Sequence, residues 1–339
     1  MTAVFCVGTA GLFVYLENGL PQRSFSPTKF LDRAAVRKKI QDRLSFVINS
    51  LPQLPQNLHR AFTGQEGWLF LGNDYEACLD KLTGKISPAI RAQSESSSAA
   101  IITQLKQYDG VKKIVFVGPN KSSIYPEFLP SDVRPSNQRY INPILQKFQE
   151  SGLDVFDPTE ILLNAKKEKL LYYRTDTHWN SFGAYLAVKG MLEHLGFTSE
   201  IIEASFKGLD FVNGSPHRGD LIDIGKFNLD AVAGDNFLPE WNPSHSDLTL
   251  IEHNGAQYPL SPTAAVGTPK FNEPIRIINP HATTKMKIWL VRDSFSSAAS
   301  PFFHAIFAET LHINRGDNLS VLNYAPPDII IYEGVERSF

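Results

Sequence analysis

Met286-Lys-Ile-Trp-Leu-Val291, Arg292-Asp293-Ser294-Phe295-Ser296 and Ser297-Ala-Ala-Ser-Pro-Phe-Phe303 follow one another in the C-terminal part of the chain. The first run is short, apolar and rich in residues that favour β structure, which predicts a buried strand. The small polar residues behind it lead into a helical run, so a tight strand-to-helix turn is expected, with Ser294 on it. A hydroxyl at the carboxyl end of a strand stands beside the N-terminal N–H groups of the next helix, which can stabilise an oxyanion. It becomes a nucleophile only with a base in reach.

The same strand-and-helix alternation recurs upstream. Ala99–Tyr108 has helical spacing, Gly110 stops it, and Lys112-Lys-Ile-Val-Phe-Val117 is a strand running into the polar loop Gly118–Glu127. A polar loop at the carboxyl end of a strand is where open α/β sheets place ligands. Arg139–Ser151 then reads as a helix, Leu153–Phe156 as a strand, and Pro158 to about Lys167 as a helix. Leu170–Tyr173 reads as a strand delivering Arg174-Thr175-Asp176-Thr177-His178-Trp179-Asn180, with a helix over Ser181–Leu195 capped by Asn180 or Ser181. The apolar run after Pro326-Pro327-Asp328 is a last buried strand. The fold class is therefore α/β, with a mostly parallel sheet.

Other stretches are less regular. Residues 196–285 alternate Pro, Gly, Asn and short apolar pieces without a dominant period, and read as an irregular insertion rather than a second domain. Gly84–Ser98 is serine-rich but too short and mixed for a low-complexity linker. Phe30–Ile48 has helical spacing within an N-terminal helical or linker region, 17–61. Gly67-Trp68-Leu-Phe-Leu71 opens the catalytic domain, 62–339, as a short strand whose tryptophan suits a core. Residues 1–16 include one apolar run, Ala3–Leu16, short for a spanning helix and without a basic flank. A membrane anchor with a trimmed start, a signal segment, and a buried strand or helix all fit it, the first being favoured by the abrupt change to polar residues at Glu17.

Composition narrows the function. The 339 residues carry 33 Lys and Arg against 35 Asp and Glu, and the cations are scattered, which argues against nucleic acid as a partner. Two cysteines, Cys6 and Cys78, make neither a disulfide framework nor a metal cluster.

Asp176 and His178 are the best partners for Ser294. Residues two apart on an extended segment point to the same side. A carboxylate bonded to an imidazole fixes its tautomer and stabilises the imidazolium formed when histidine takes a serine proton. A lone Asp-x-His is more often structural, and Asp-Ser pairs are common as turns or caps. Metal binding by Asp176 and His178 with His217 and Asp220 is an alternative, but the spacing matches no standard zinc motif.

Gly67-Trp68-Leu69-Phe70, Pro119-Asn-Lys121 with Ile124-Tyr125-Pro126-Glu127 and Leu129-Pro130, Thr175–Asn180, Arg292-Asp293-Ser294-Phe295, and Pro327-Asp328 with Glu336-Arg337 occur in one order over residues 67–337. Together they resemble the alginate O-acetyltransferase family of AlgJ and AlgX type. The resemblance implies an SGNH-hydrolase-like, flavodoxin-like three-layer sandwich and acetyl transfer to hydroxyls of an exopolysaccharide outside the cytoplasmic membrane. It implies Ser294 as acyl-accepting nucleophile, with its own N–H as an oxyanion donor, His178 as base and Asp176 as its orienting partner. It makes Lys121, Tyr125, Arg292 and Arg337 candidates for substrate binding or support. It also implies a membrane-bound O-acyltransferase partner as acetyl donor and a periplasmic location, anchored by the N-terminal segment. No metal, nucleotide or other cofactor is required. Arg292 stands where SGNH enzymes usually have glycine, so it either contacts an anionic glycan or crowds the turn. The end soon after Arg337 leaves no room for the C-terminal carbohydrate-binding module of AlgX-type chains, and the arrangement is nearer AlgJ. The same triad would serve a carbohydrate acetyl esterase, and the same fold a non-catalytic glycan-binding or assembly subunit.

Overall fold

The structure is a computed structural model that describes the backbone of residues 4–8 and 11–15 and all of residues 59–241 and 247–339. The chain forms two units, Met1–Leu54 and Pro55–Phe339. In the first, β1 (Val4–Gly8) pairs antiparallel with β2 (Gly11–Tyr15). The helix expected over Phe30–Ile48, and nearly all of region 17–61, lies outside the described residues. Among the described residues no helix is long and apolar enough to cross a membrane.

The second unit opens with a small antiparallel pair, β3 (Ala61–Thr63) and β4 (Leu69–Leu71). Then come α1 (Cys78–Thr83), α2 (Pro88–Lys106), β5 (Lys112–Gly118), α3 (Lys121–Ile124), α4 (Asn142–Glu150), β6 (Asp154–Phe156), α5 (Thr159–Ala165) and α6 (Ser181–His194). They are followed by α7 (Ser199–Ser205), β7 (Asp210–Asn213), α8 (Asp220–Gly225), β8 (Phe237–Glu240), β9 (Leu248–Ile251), β10 (Gln257–Leu260) and β11 (Ile275–Ile278). The chain closes with β12 (Lys287–Arg292), α9 (Ser296–Ile306), β13 (Glu309–Asn314) and β14 (Ile329–Val335).

Eight strands form the main sheet in the order β10-β9-β11-β13-β12-β14-β5-β6. The five from β13 to β6 are parallel, and β11, β9 and β10 continue the sheet antiparallel. Parallel neighbours need a crossover, and α9 supplies the one between β12 and β13. Register sorts the side chains into two faces. Leu290 pairs with Ile331 and Ile331 with Ile114, and this row packs with Val188 and Met191 of α6 and Phe302 and Ile306 of α9. The next row, Val291, Tyr332 and Val115, joins Ile101 and Leu105 of α2 and Ile144 and Phe148 of α4 on the other face. Continuous apolar runs such as Ile329–Ile331 are what a sheet covered on both faces requires. A helix layer on each side makes the three-layer α/β sandwich.

The serine-rich stretch belongs mostly to α2. Ser87 caps it by accepting from Ile90 N, Pro88 takes the first position, and Ser94 and Ser98 are buried where the helix meets its neighbours. The helix thus begins well before the apolar spacing that starts at Ala99. Among the described residues of 196–285 are two short helices, the β7–β8 pair and three strands that extend the sheet. The strand expected at Leu170–Tyr173 is a loop closed by a single bridge between Tyr172 and Trp179. Its polar groups are met outside any ladder: Leu171 N donates to Tyr125 Oη at 2.9 Å, and Asn180 N donates to Leu171 O at 2.9 Å. No sheet ladder is needed to satisfy them.

Candidate active site

Two loops meet at the carboxyl ends of the parallel strands. The first, Tyr173–Asn180, is short, polar and largely enclosed, so every backbone group needs a partner. Asn180 caps α6 by accepting from Gly183 N at 3.0 Å, and its Nδ2 donates to Leu170 O and Asp235 O. Lys121, 4 % exposed, donates to the carbonyls of Tyr173, Arg174 and Asp176 at 3.1, 3.0 and 2.6 Å. Burial pushes its amine down to about 7, against the pull of Asp176, Asp220 and Asp235. The three carbonyls match the three N–H groups of the ammonium. Gly219 lies against this loop so closely that a Cβ there would run into the Thr175 carbonyl.

The second loop is the turn after β12. Asp293 Oδ1 accepts from Phe295 N at 2.9 Å and Oδ2 from Val335 N at 2.8 Å, which fixes the turn. Buried Glu333 lies beneath it, accepting from Ser296 Oγ at 2.8 Å and Asp293 N at 3.3 Å. Phe295 packs over Gly118, where a Cβ would stand 2.8 Å from the ring. Trp179 Nε1 donates to Phe295 O at 2.9 Å and joins the two loops.

Across that joint, His178 Nε2 stands 2.8 Å from Ser294 Oγ, and His178 Nδ1 stands 2.6 Å from Asp176 Oδ1. The carboxylate selects the tautomer with its proton on Nδ1, leaving Nε2 to accept from the serine. Ser294 is exposed, whereas Asp176 is 7 % exposed. Asp176 Oδ1 also accepts from His178 N at 3.0 Å, and Oδ2 accepts from Asp220 N at 3.0 Å and faces His217 Nε2 at 3.0 Å. Burial raises this carboxyl, but the hydrogen bonds from His178 and His217 outweigh burial and hold it well below the usual carboxylate range. Asp220 goes the other way, raised by burial and then by the Asp176 charge, while it accepts from Thr177 N and Thr177 Oγ1. A serine hydrogen-bonded to an imidazole whose far nitrogen faces a carboxylate can form an acyl-enzyme.

The other anticipated residues have different surroundings. Tyr125 is buried against Trp68, ring centres 4.5 Å apart, and burial pushes its hydroxyl up to about 12. Arg292 is fully buried. It donates to Val266 O at 2.8 Å, Gly267 O at 3.2 Å, Asp293 O at 3.0 Å and Ser297 Oγ at 2.6 Å. The polar atoms of Lys121, Tyr125 and Arg292 all hydrogen-bond to backbone groups of neighbouring segments. Arg337 is half-buried, pairs with Glu76 at 3.4 Å and lies over the Phe295 ring at 5.6 Å.

Asp176, His178 and Asp220 lie close enough together to hold a cation. Their ligand atoms are already engaged with each other and with Thr177, so an ion would have to displace hydrogen bonds that satisfy the site. His217, considered at first only as a metal partner, faces Asp176 and stacks on Tyr173 with ring centres 4.0 Å apart. Glu333 was not anticipated at all, because its contact with the turn crosses from β14 to β12.

Residues 61–230 match the family described as SGNH hydrolase-like domain, acetyltransferase AlgX, a span that holds Asp176 and His178 but not Ser294. The chain is 26 % identical over 125 residues to a Pseudomonas aeruginosa protein described as a probable alginate O-acetylase AlgJ, covering 36 % of this chain and 29 % of that protein. It is 24 % identical over 306 residues to the protein of the same description in Azotobacter vinelandii, covering 81 % of this chain and 68 % of that one. In fold it is similar to the O-acetyltransferase domain of Pseudomonas putida AlgJ, with a TM-score of 0.51 and 17 % identity, covering 82 % of this chain and 91 % of that one. The family match takes in half of the chain. This chain belongs to the SGNH hydrolase-like domain family of acetyltransferase AlgX.

Proposed function

We propose that this protein is a polysaccharide O-acetyltransferase that works through an acetyl-serine at Ser294. The observation that carries the proposal is the continuous line from Ser294 Oγ through His178 to Asp176, at 2.8 and 2.6 Å. The names of the relatives support acetyl transfer to a polysaccharide and make alginate the first polymer to try.

Ser294 Oγ attacks the carbonyl carbon of an acetyl ester as His178 Nε2 takes its proton. The charge on the carbonyl oxygen falls near the Ser294 N–H, at the N-terminal end of α9. Collapse expels the donor's leaving group, which takes the proton from His178, and acetyl-Ser294 remains. A sugar hydroxyl then gives its proton to His178 and attacks the acetyl carbon. The products are the sugar acetate and free Ser294, which recovers the proton. Asp176, ionised throughout, keeps the imidazole in its tautomer and offsets its transient charge.

The acetyl donor in this proposal is a membrane-bound O-acyltransferase, and the setting is the periplasm, with residues 1–16 as anchor. The test is incubation with an acetyl-ester reporter, with and without oligosaccharide. Acetyl on the Ser294 peptide, seen by mass spectrometry and absent in Ser294→Ala, is expected together with acetylated sugar. Acetyl release that no glycan affects, with no acetylated sugar, would make the protein an esterase. Undiminished polysaccharide acetylation in cells carrying Ser294→Ala would overturn the nucleophile assignment.

A further inference from the structure

The loop that carries Asp176 and His178 is gripped from outside by one short stretch, His217–Leu221. His217 Nε2 faces Asp176 Oδ2 at 3.0 Å, and Asp220 N donates to the same oxygen at 3.0 Å. Gly219 N donates to Thr175 Oγ1 at 3.3 Å and Leu221 N to Thr175 O at 3.2 Å. The half-buried Asp220 adds its carboxylate to this grip. Its Oδ1 accepts from Thr177 N at 2.7 Å and its Oδ2 from Thr177 Oγ1 at 2.6 Å, and Oδ2 also stands 3.7 Å from His178 Nδ1.

The donors present fix where the protons lie. The Nδ1 proton of His178 points to Asp176 Oδ1 at 2.6 Å. Thr177 Oγ1, 3.2 Å from that nitrogen, cannot donate to it, so its one hydroxyl proton goes to Asp220. A length of 2.6 Å is that of a hydroxyl on a charged carboxylate. The Thr177 oxygen then turns a lone pair toward the Nδ1 edge of the imidazole. Positive charge on His178 therefore meets Asp176 directly, and meets Asp220 both through space and through the Thr177 hydroxyl. Burial, and then the Asp176 charge, raise the Asp220 carboxyl, and a positive imidazole beside both carboxylates relieves that repulsion. The other charges in reach are Lys121, committed to the loop carbonyls, and Asp235, paired with Arg174 at 3.4 Å.

Resting on the acetyl-serine reading, we infer that Asp220 is a second acidic partner of the base, a positioning residue that steadies the His178 imidazolium through Thr177. Asp176 sets the tautomer, and Asp220 adds charge at the moment His178 holds the proton of Ser294 or of the acceptor hydroxyl. No proton travels along the Thr177 arm. The Ser294 proton goes to Nε2 and on to the leaving group, while the Nδ1 and Thr177 protons stay with their own atoms.

The test follows turnover of p-nitrophenyl acetate by the full chain from about pH 4 to 9, with acetyl-Ser294 monitored by mass spectrometry. Asp220→Asn keeps an acceptor for Thr177 N, but removes the charge and reverses the bond to Thr177 Oγ1. The acid limb of kcat/KM should move to lower pH by about 1 unit, and the plateau should fall about tenfold. Thr177→Val keeps the carboxylate and removes the arm, and should move the limb the same way by about 0.5 unit. Thr177→Ser restores the hydroxyl and should bring the limb back toward its wild-type position. Where Asp220→Asn does not fold, the Thr177 pair carries the same test.

Activity that falls in Asp220→Asn with the limb unmoved, or moved upward, makes Asp220 a clamp only and overturns the inference; acetyl-Ser294 present in the same samples leaves the acetyl-serine reading standing. A limb that moves in Asp220→Asn but not in Thr177→Val overturns Thr177 as the link. Absence of acetyl-Ser294 in the wild-type protein overturns the underlying reading, and the inference with it.

Discussion

Asp176 and Glu333 are both buried carboxyls, one in the loop that carries the base and one under the turn that carries the serine, and their surroundings drive them in opposite directions. Asp176 meets donors on both oxygens and stays ionised below the usual range. Glu333 has one oxygen bonded and the other, Oε1, without a partner among the described residues, and burial with the Asp293 charge pushes it up to about 8. Burial disfavours charge in both places, and the number of donors together with the sign of the neighbouring charge separates them. One such carboxyl can orient an imidazole on one side while the other supports the turn without adding a full charge beside that of Asp293.

The sharpest way to break this comparison is to neutralise each carboxyl in turn. Asp176→Asn should lower kcat by about 10⁴-fold, the loss expected when the base is held in the wrong tautomer. Glu333→Gln should cost less than tenfold, because a neutral side chain replaces one that is largely neutral already. Comparable losses, measured as acetyl release from an ester reporter, would show that the two groups share a role.

Stability tests the scaffold of the same loop. Lys121→Met removes the donors to three enclosed carbonyls and should destabilise the protein by about 3 kcal/mol in urea unfolding, after allowance for the buried charge it also removes. An unchanged midpoint would mean that the loop holds itself.

The pH dependence of stability should carry opposite signs for the two carboxyls. Asp176 titrates near 3.8 when unfolded and lower when folded, so its contribution is fully present above about 3.8 and is lost as the pH falls through the folded value. Glu333 titrates near 4.5 when unfolded and near 8 when folded, so its contribution is fully present below about 4.5 and is lost as the pH rises through about 8. Urea midpoints from pH 3 to 9 should show a shallower acid limb in Asp176→Asn and a shallower decline toward pH 8 in Glu333→Gln.

A loss of activity between those two is expected at His217. Removing one hydrogen bond to a charged group, worth ~1.5 kcal/mol, His217→Ala should lower kcat by about tenfold and weaken the depression of Asp176. The informative readout is the acid limb of the pH–rate profile, which should move upward; a purely structural role would lower activity without moving it.

Much of this site could be read in the chain itself. The helix cap at Asn180 and the strands read at Lys112–Val117 and Met286–Val291 follow from local pattern, because the capping bond spans three residues and a strand's bonds lie within one ladder; the turn after Arg292 shows in its small polar residues, although Val335 and Glu333 fix it from 42 and 40 residues away. The loop at 171–180 was less legible. Its apolar residues suggest a strand, while its bonds go to Tyr125 and Lys121, tens of residues away. Strand β13, Glu309–Asn314, was not read as a strand at all: two buried polar residues, Thr310 and His312, interrupt its apolar pattern. The strands within 196–285 are short and half exposed, so no clean alternation marks them.

The sequence alone determined the α/β class, the strand-to-helix turn that presents Ser294, and a base and carboxylate two residues apart, because periodicity, caps and residue chemistry are local properties. Only the tertiary structure decided that His178 reaches Ser294 across 116 residues, that Arg292 points inward to carbonyls, and that Asp176 is held below the usual carboxylate range while Glu333 is pushed above it. The physical reason is that burial and the number of hydrogen-bond partners are properties of packed surroundings, and no spacing along the chain contains them.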